Sequence, residues 1–184
     1  MREIEIKLKV KDFTEIEKQL VERGCVLSKP FAQHDVIYSE GGSTEEWRHA
    51  KDGDKVVRIR RSKDTAELTL KVHRSREGDS LEYETEVKDS KTMHQILLML
   101  GYTSEVEVKK VRRQGKLDGY SVCLDQVEEL GSFIEMEKLT ADSADPEAIR
   151  EELFRVLESI GLSRVDEETR GYDTQIYQLH HSAA

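Results

Sequence analysis

The chain has 184 residues, 36% of them apolar and 36% charged, with a net charge of −9. That length supports one domain with a real core, and the periodic apolar segments below rule out a disordered chain. The acidic balance argues against a protein that coats nucleic acid or an anionic membrane, no apolar run approaches the about 20 residues of a membrane span, and two cysteines without metal-type spacing, Cys25 and Cys123, fit the reducing cytoplasm.

The first ten residues alternate. Ile4, Ile6, Leu8 and Val10 share one parity, and Glu3, Glu5, Lys7 and Lys9 share the other. This is a strand with one apolar and one ionic face. A helix follows, with Asp12 as N-cap, Glu15 three residues on, Phe13, Ile16 and Leu20 on one stripe, and Gly24 as the stop. Residues 36–38 make a short strand, and residues 40–54 a long polar loop that holds the only tryptophan, Trp47. Loops of that length in a compact domain are often functional.

Three strands come next. Residues 55–61 set Val57 and Ile59 against Arg58 and Arg60, residues 66–73 set Leu68, Leu70 and Val72 against Thr69, Lys71 and His73, and residues 81–87 set Leu81, Tyr83, Thr85 and Val87 against Glu82, Glu84 and Glu86. The second helix starts near Asp89, carries Met93, Ile96, Leu97 and Leu100, and stops at Gly101. Strands over 105–113 and 120–127 join through an Asp118-Gly119 hairpin turn, and residues 132–138 set Ile134 and Met136 against Phe133, Glu135 and Glu137. The third helix has Asp145 before Pro146, an apolar stripe of Ile149, Leu153, Val156, Leu157 and Ile160, and Gly161 as its stop. Residues 179–184 read as a flexible tail, which leaves 1–178 as a single domain.

About eight strands in chain order make a mostly meandering antiparallel sheet. The amphipathic helices are what can cover its apolar faces. Two architectures satisfy this: an open sheet with its charged face in water, or a closed barrel with an ion-lined lumen. Residues i and i+2 on a strand point the same way, about 6.5–7 Å apart. Carboxylates at that spacing, Glu3 with Glu5 and Glu135 with Glu137, can share a hard cation such as Mg²⁺ or Mn²⁺. Arg58, Arg60, Lys71, Lys110 and Arg112 have the same strand spacing and make an anion cradle. A divalent metal beside a basic row is what a polyphosphate chain requires.

An ordered set of motifs runs through the chain. It comprises Glu3-Ile4-Glu5-Ile6-Lys7, Arg58-Ile59-Arg60, Lys71, Glu82-Tyr83-Glu84-Thr85-Glu86, Lys110-Val111-Arg112, Asp125, Glu135-Met136-Glu137 and Arg170-Gly171-Tyr172. In this the chain resembles the CYTH family, or triphosphate tunnel metalloenzymes, and within it most nearly the class IV adenylyl cyclases. The resemblance implies an α+β fold: a closed eight-stranded antiparallel β-barrel, the triphosphate tunnel, with a charged lumen and helices packed outside. It implies Glu3, Glu5 and Glu135 as metal-binding carboxylates, with Glu84, Glu86 and Glu137 on the inner face. Glu137 joins the metal set through its spacing from Glu135. It also implies Lys7, Arg58, Lys71, Lys110 and Arg112 as phosphate-binding residues beside Arg60, and Lys7 and Asp125 as the pair nearest the chemistry. The implied reaction is conversion of ATP to cyclic AMP and pyrophosphate with Mg²⁺ or Mn²⁺, carried out by a homodimer. The alternatives are hydrolysis of inorganic tripolyphosphate, thiamine triphosphate or a nucleoside triphosphate, and, in third place, a polyphosphate-binding module without turnover.

Overall fold

Eight antiparallel strands close on themselves. The computed structural model describes residues 1–40, 51–76 and 78–181, so Trp47 and most of the expected polar loop lie outside the described residues. The strands are β1 (Arg2–Val10), β2 (Phe31–Glu40), β3 (Lys55–Ser62), β4 (Thr65–Arg76), β5 (Asp79–Glu86), β6 (Tyr102–Leu117), β7 (Tyr120–Val127) and β8 (Gly131–Thr140). Their order round the ring is β1-β5-β4-β3-β2-β6-β7-β8. The ring is uneven: β1 pairs with β8 from Arg2 to Val10, but with β5 only from Arg2 to Ile4. Closure excludes the open-sheet alternative.

Four helices accompany the ring: α1 (Thr14–Glu22), α2 (Ser90–Met99), α3 (Pro146–Ser159) and α4 (Tyr172–His181). The Asp89 side chain accepts from the Lys91 and Thr92 amides, and Asp145 accepts from the Glu147 amide, as N-caps do. Helix α1 differs from expectation by one residue. Its cap position is Phe13, which has no side-chain oxygen, and Asp12 instead accepts from the Thr14 amide at 2.9 Å from outside the helix.

Helices α1 and α3 cover the outer face of β1, β7 and β8. There Ile4, Ile6, Leu8, Leu124, Ile134 and Met136 pack against Ile16, Leu20, Leu153 and Leu157. Helix α2 covers β2 and β3 through Leu97 and Met93 against Val36, Tyr38, Val57 and Ile59. In β1, β3 and β8 the parity that carries Ile4, Ile6, Val57, Ile59, Ile134 and Met136 thus faces a helix, and the parity that carries Glu3, Glu5, Arg58, Arg60, Glu135 and Glu137 faces the lumen. None of the helices among the described residues is long and apolar enough to cross a membrane.

Two elements depart from the sequence reading. Strand β2 spans ten residues rather than the three of 36–38 and pairs along both sides. Its inward Gln33 and Asp35 and its outward His34 are all polar, so the alternation that marks a strand is lost there. Helix α4 was not anticipated, and it takes in residues 179–181, which had been assigned to the tail. Its Tyr172 and Ile176 pack on Ile37, Val106, Val108, Val127 and Phe133. These share strand parity with Asp35, Lys110, Asp125 and Glu135, so α4 stops the lumen from one side.

Candidate metal and anion site

A cavity of about 890 Å³ runs through the ring. Its wall includes Glu3, Glu5, Lys7, Arg58, Arg60, Lys71, Lys110, Arg112, Glu135 and Glu137. Of the expected site residues only Asp125 is absent from that wall. It lies fully buried behind it. Glu84 is on the wall but exposed, and Glu86 is exposed on a part of β5 away from it.

The carboxylates converge through register. Glu5 stands opposite Glu137 across the β1–β8 pair, and Glu3 is two residues along the same face of β1. Glu3, Glu5 and Glu137 each offer a carboxylate oxygen, and these lie within 4.8 Å of one another. Burial drives the Glu5 carboxyl up to about 7, with the Glu135 charge adding to it. Burial drives Glu3 up to about 9, against the pull of Lys71 and helped by Glu82 and Glu137. Glu137 is raised for the same reasons, burial first and Glu135 second. Three crowded, desolvated carboxylates that resist ionisation suit a hard divalent cation, which can take the place of their protons.

Glu135 is placed differently from the other three. It accepts from the Arg112 guanidinium instead of joining the cluster. Burial opposes its charge, but Arg112, Lys110 and Lys7 outweigh that and hold its carboxyl well below the usual range. The i, i+2 spacing put Glu135 beside Glu137 on one strand face, and the structure keeps that. What spacing does not show is the cation that reaches Glu135 from β6.

The basic residues sit on acidic supports. Arg112 forks onto Asp125, with Nε at 2.6 Å, and the Lys110 ammonium lies 3.2 Å from the same carboxylate. Arg60 forks onto Asp35 at 2.8 and 2.7 Å. Lys71 contacts Glu82 and reaches Glu3 at 3.5 Å. Arg58 donates to Thr69 Oγ1 at 3.0 Å, while its buried Nε has no partner. Burial, with Arg112 and Arg60 close by, presses the Lys110 ammonium down to about 8. Lys7 stands 4.6 Å from the centre of the Tyr172 ring, and Lys110 stands 5.0 Å from it.

Asp35, Glu82 and Tyr172 belong to this constellation, yet none was among the expected site residues. Asp35 was lost with the rest of β2, although Gln33, Asp35 and Ile37 have the spacing of one strand face. Glu82 stands in the sequence on a charged strand face and in the Glu82-Tyr83-Glu84-Thr85-Glu86 motif, with no site role attached to it. Tyr172 was noted in a motif, but its helix was not. The assembled lumen places a carboxylate cluster next to five fixed cations, so a divalent cation and a polyanion can occupy it side by side.

Comparison with known proteins agrees with this geometry. A family model described as the CYTH domain matches residues 1–172. A protein of Methanocaldococcus jannaschii named "putative adenylate cyclase" is 28% identical over 170 residues, covering 89% of this chain and 92% of its own. The structure of a conserved hypothetical protein from Pyrococcus furiosus superposes with a TM-score of 0.78 at 25% identity, over 92% of this chain and 97% of that one. A Hippeastrum protein, whose structure is titled a putative adenylyl cyclase with a dominant triphosphatase activity, shares the fold with a TM-score of 0.62 at 17% identity, over 100% of this chain and 96% of its own.

Proposed function

The chain belongs to the CYTH domain family, and from that premise we propose that it is a metal-dependent enzyme acting on triphosphates, of the class IV adenylyl cyclase type. The observation that carries this reading is the meeting of Glu3, Glu5 and Glu137 in the cavity that Arg58, Arg60, Lys71, Lys110 and Arg112 also line. The donor set is all oxygen, which fits Mg²⁺ or Mn²⁺. Bound there, the metal supplies charge neutralisation and polarises a phosphoryl oxygen.

The five cations bind and straighten the triphosphate. Lys7 lies between the two groups, two residues from Glu5 and opposite Glu135 in register, where it holds the α-phosphate. The ribose 3′-hydroxyl attacks the α-phosphorus in line, the bond from the α-phosphorus to the bridging oxygen breaks, pyrophosphate leaves, and the hydroxyl proton passes to solvent. Positioning and fixed charge supply most of the rate. Asp125 acts from behind the wall, by fixing Arg112 and Lys110, so it is a positioning residue in this scheme. The name of the Methanocaldococcus jannaschii relative supports cyclisation.

Hydrolysis of tripolyphosphate, thiamine triphosphate or a nucleoside triphosphate is the second reading. It is favoured by the many ionic side chains on the wall, since tripolyphosphate needs charge alone and no pocket for a base. The experiment is to incubate purified protein with Mg²⁺ or Mn²⁺ and each of ATP, tripolyphosphate and thiamine triphosphate, then identify products. Cyclic AMP with pyrophosphate supports cyclisation, and orthophosphate alone supports hydrolysis. Binding without any product leaves only the polyphosphate-binding module. A homodimer is part of the same reading, tested by light scattering in solution.

A further inference from the structure

Like Arg58 Nε, the Tyr172 hydroxyl and the Lys7 ammonium stand in the lumen without a hydrogen-bond or ion-pair partner among the described residues. The Tyr172 hydroxyl is buried without a hydrogen-bond partner, in a residue only 8% exposed. A buried, unpaired hydroxyl costs roughly 1–3 kcal/mol, so a protein that keeps one keeps it at the expense of stability. The Lys7 ammonium, in a residue 6% exposed, has no ion-pair partner within 4 Å among the described residues. What Lys7 touches is the Tyr172 ring, and Lys110 stands near the same ring. All three side chains line one cavity.

The ring has a mechanical role. Tyr172 is held edge-on by Phe133, with ring centres 5.1 Å apart, and by the apolar cluster under α4. It is therefore a fixed post between two flexible lysine stems. A hydroxyl and two ammonium groups are all donors, and the nearby carboxylates of Glu135 and Asp125 are already engaged by Arg112. The hydroxyl is turned toward Glu135, where it favours the charged carboxylate, but it does not reach hydrogen-bonding geometry.

We infer that Tyr172 donates its hydroxyl to a phosphoryl oxygen of the substrate, forming with Lys7 and Lys110 a three-donor subsite for one phosphoryl group on the α4 side of the lumen. The inference rests on the triphosphate reading above and adds to it a neutral donor carried by α4. A phosphoryl group brings three acceptor oxygens, which match the three donors. Burial of the three side chains lowers the local dielectric and strengthens each bond.

The test uses Tyr172→Phe, which keeps the ring, its packing and both lysine contacts and removes only the hydroxyl. Calorimetric titration of inorganic tripolyphosphate into Mn²⁺-loaded protein should show about tenfold weaker binding in the variant. Its Mn²⁺ affinity should match the wild type, and the metal-free melting temperature should be equal or higher, since an unpaired buried hydroxyl has been removed. A hydroxyl needed only for packing would lower that temperature. Wild-type affinity for tripolyphosphate in Tyr172→Phe overturns the inference. A loss confined to Mn²⁺ affinity also overturns it, because the hydroxyl would then serve Glu135. Arg58→Ala separates the two levels of the argument. If Arg58→Ala weakens tripolyphosphate binding and Tyr172→Phe does not, the subsite alone is wrong. If the wild-type protein binds no tripolyphosphate, the functional reading falls as well.

Discussion

Glu5 is the residue on which most converges: it faces Glu137 across the sheet, neighbours Glu3 on its own strand and titrates high because it is buried. Glu5→Gln keeps the shape and removes the charge, so metal-dependent turnover should fall about 100-fold or more, with a melting temperature close to wild type. Near-normal turnover would take Glu5 out of the metal site. The raised carboxyls also set a pH dependence. Between the ordinary carboxylate range and the values of about 7 and 9, folded Glu5 and Glu3 keep protons that the unfolded chain has released. The folded state then binds more protons, and stability falls as pH rises. Glu135 and Asp35, held low by their cationic partners, work in the opposite sense and lose their contribution as pH falls. Metal-free protein should therefore melt at progressively lower temperature from about pH 5 to about pH 8, above which Lys110, held down to about 8, loses its proton before the unfolded chain does and opposes the fall. The Glu3→Gln, Glu5→Gln double variant should flatten that slope, and an unchanged slope would contradict the assignment. Mn²⁺ affinity should rise over the same interval, since the cation competes with protons for the cluster.

The turn between β4 and β5 is tied by its backbone to the strand that carries Glu3 and Glu5. The Glu5 amide donates to the Gly78 carbonyl at 2.8 Å, and Gly78 has a φ of +74°. A Cβ there would stand 2.9 Å from the Glu5 carbonyl oxygen. Gly78→Ala should cost about 1–3 kcal/mol in denaturant unfolding and weaken Mn²⁺ binding, because relief of the clash displaces β1 at Glu5. Destabilisation with unchanged Mn²⁺ affinity would mean that the turn supports the fold without aligning the cluster. Elements of this kind were legible in the sequence in proportion to how cleanly their faces divide. In β1, β3 and β8 the ionic and apolar parities separate, and their inward residues were placed correctly. The caps at Asp89 and Asp145 were also plain, because capping is local chemistry. Strand β2 was largely hidden by polar residues on both faces. Helix α4 was hidden because it buries only Tyr172, Gln175 and Ile176, too short an apolar stripe to stand out.

At the scale of the whole molecule, the ring converts rows of surface-like charge into an enclosed site. Composition alone leaves an open sheet equally acceptable, and the spacing of charge along single strands favours an enclosed cation site and anion cradle without showing closure. Only the pairing of β1 with both β5 and β8 excludes that sheet. The ion pairs depend on register between neighbouring strands: Arg112 stands opposite Asp125, Arg60 stands opposite Asp35, and Arg112 reaches Glu135 one strand further round the ring. No i, i+2 count contains it. Arg58→Ala and Lys110→Ala should each weaken tripolyphosphate binding by calorimetry, and unchanged affinity in both would remove them from the cradle. The most direct measurement is a titration of tripolyphosphate with and without Mn²⁺ into wild-type and Glu5→Gln protein. Enclosure of carboxylates and cations in one lumen predicts that Mn²⁺ tightens tripolyphosphate binding in the wild type and that Glu5→Gln loses this gain. Equal affinity with and without Mn²⁺, or a gain that survives Glu5→Gln, would contradict it.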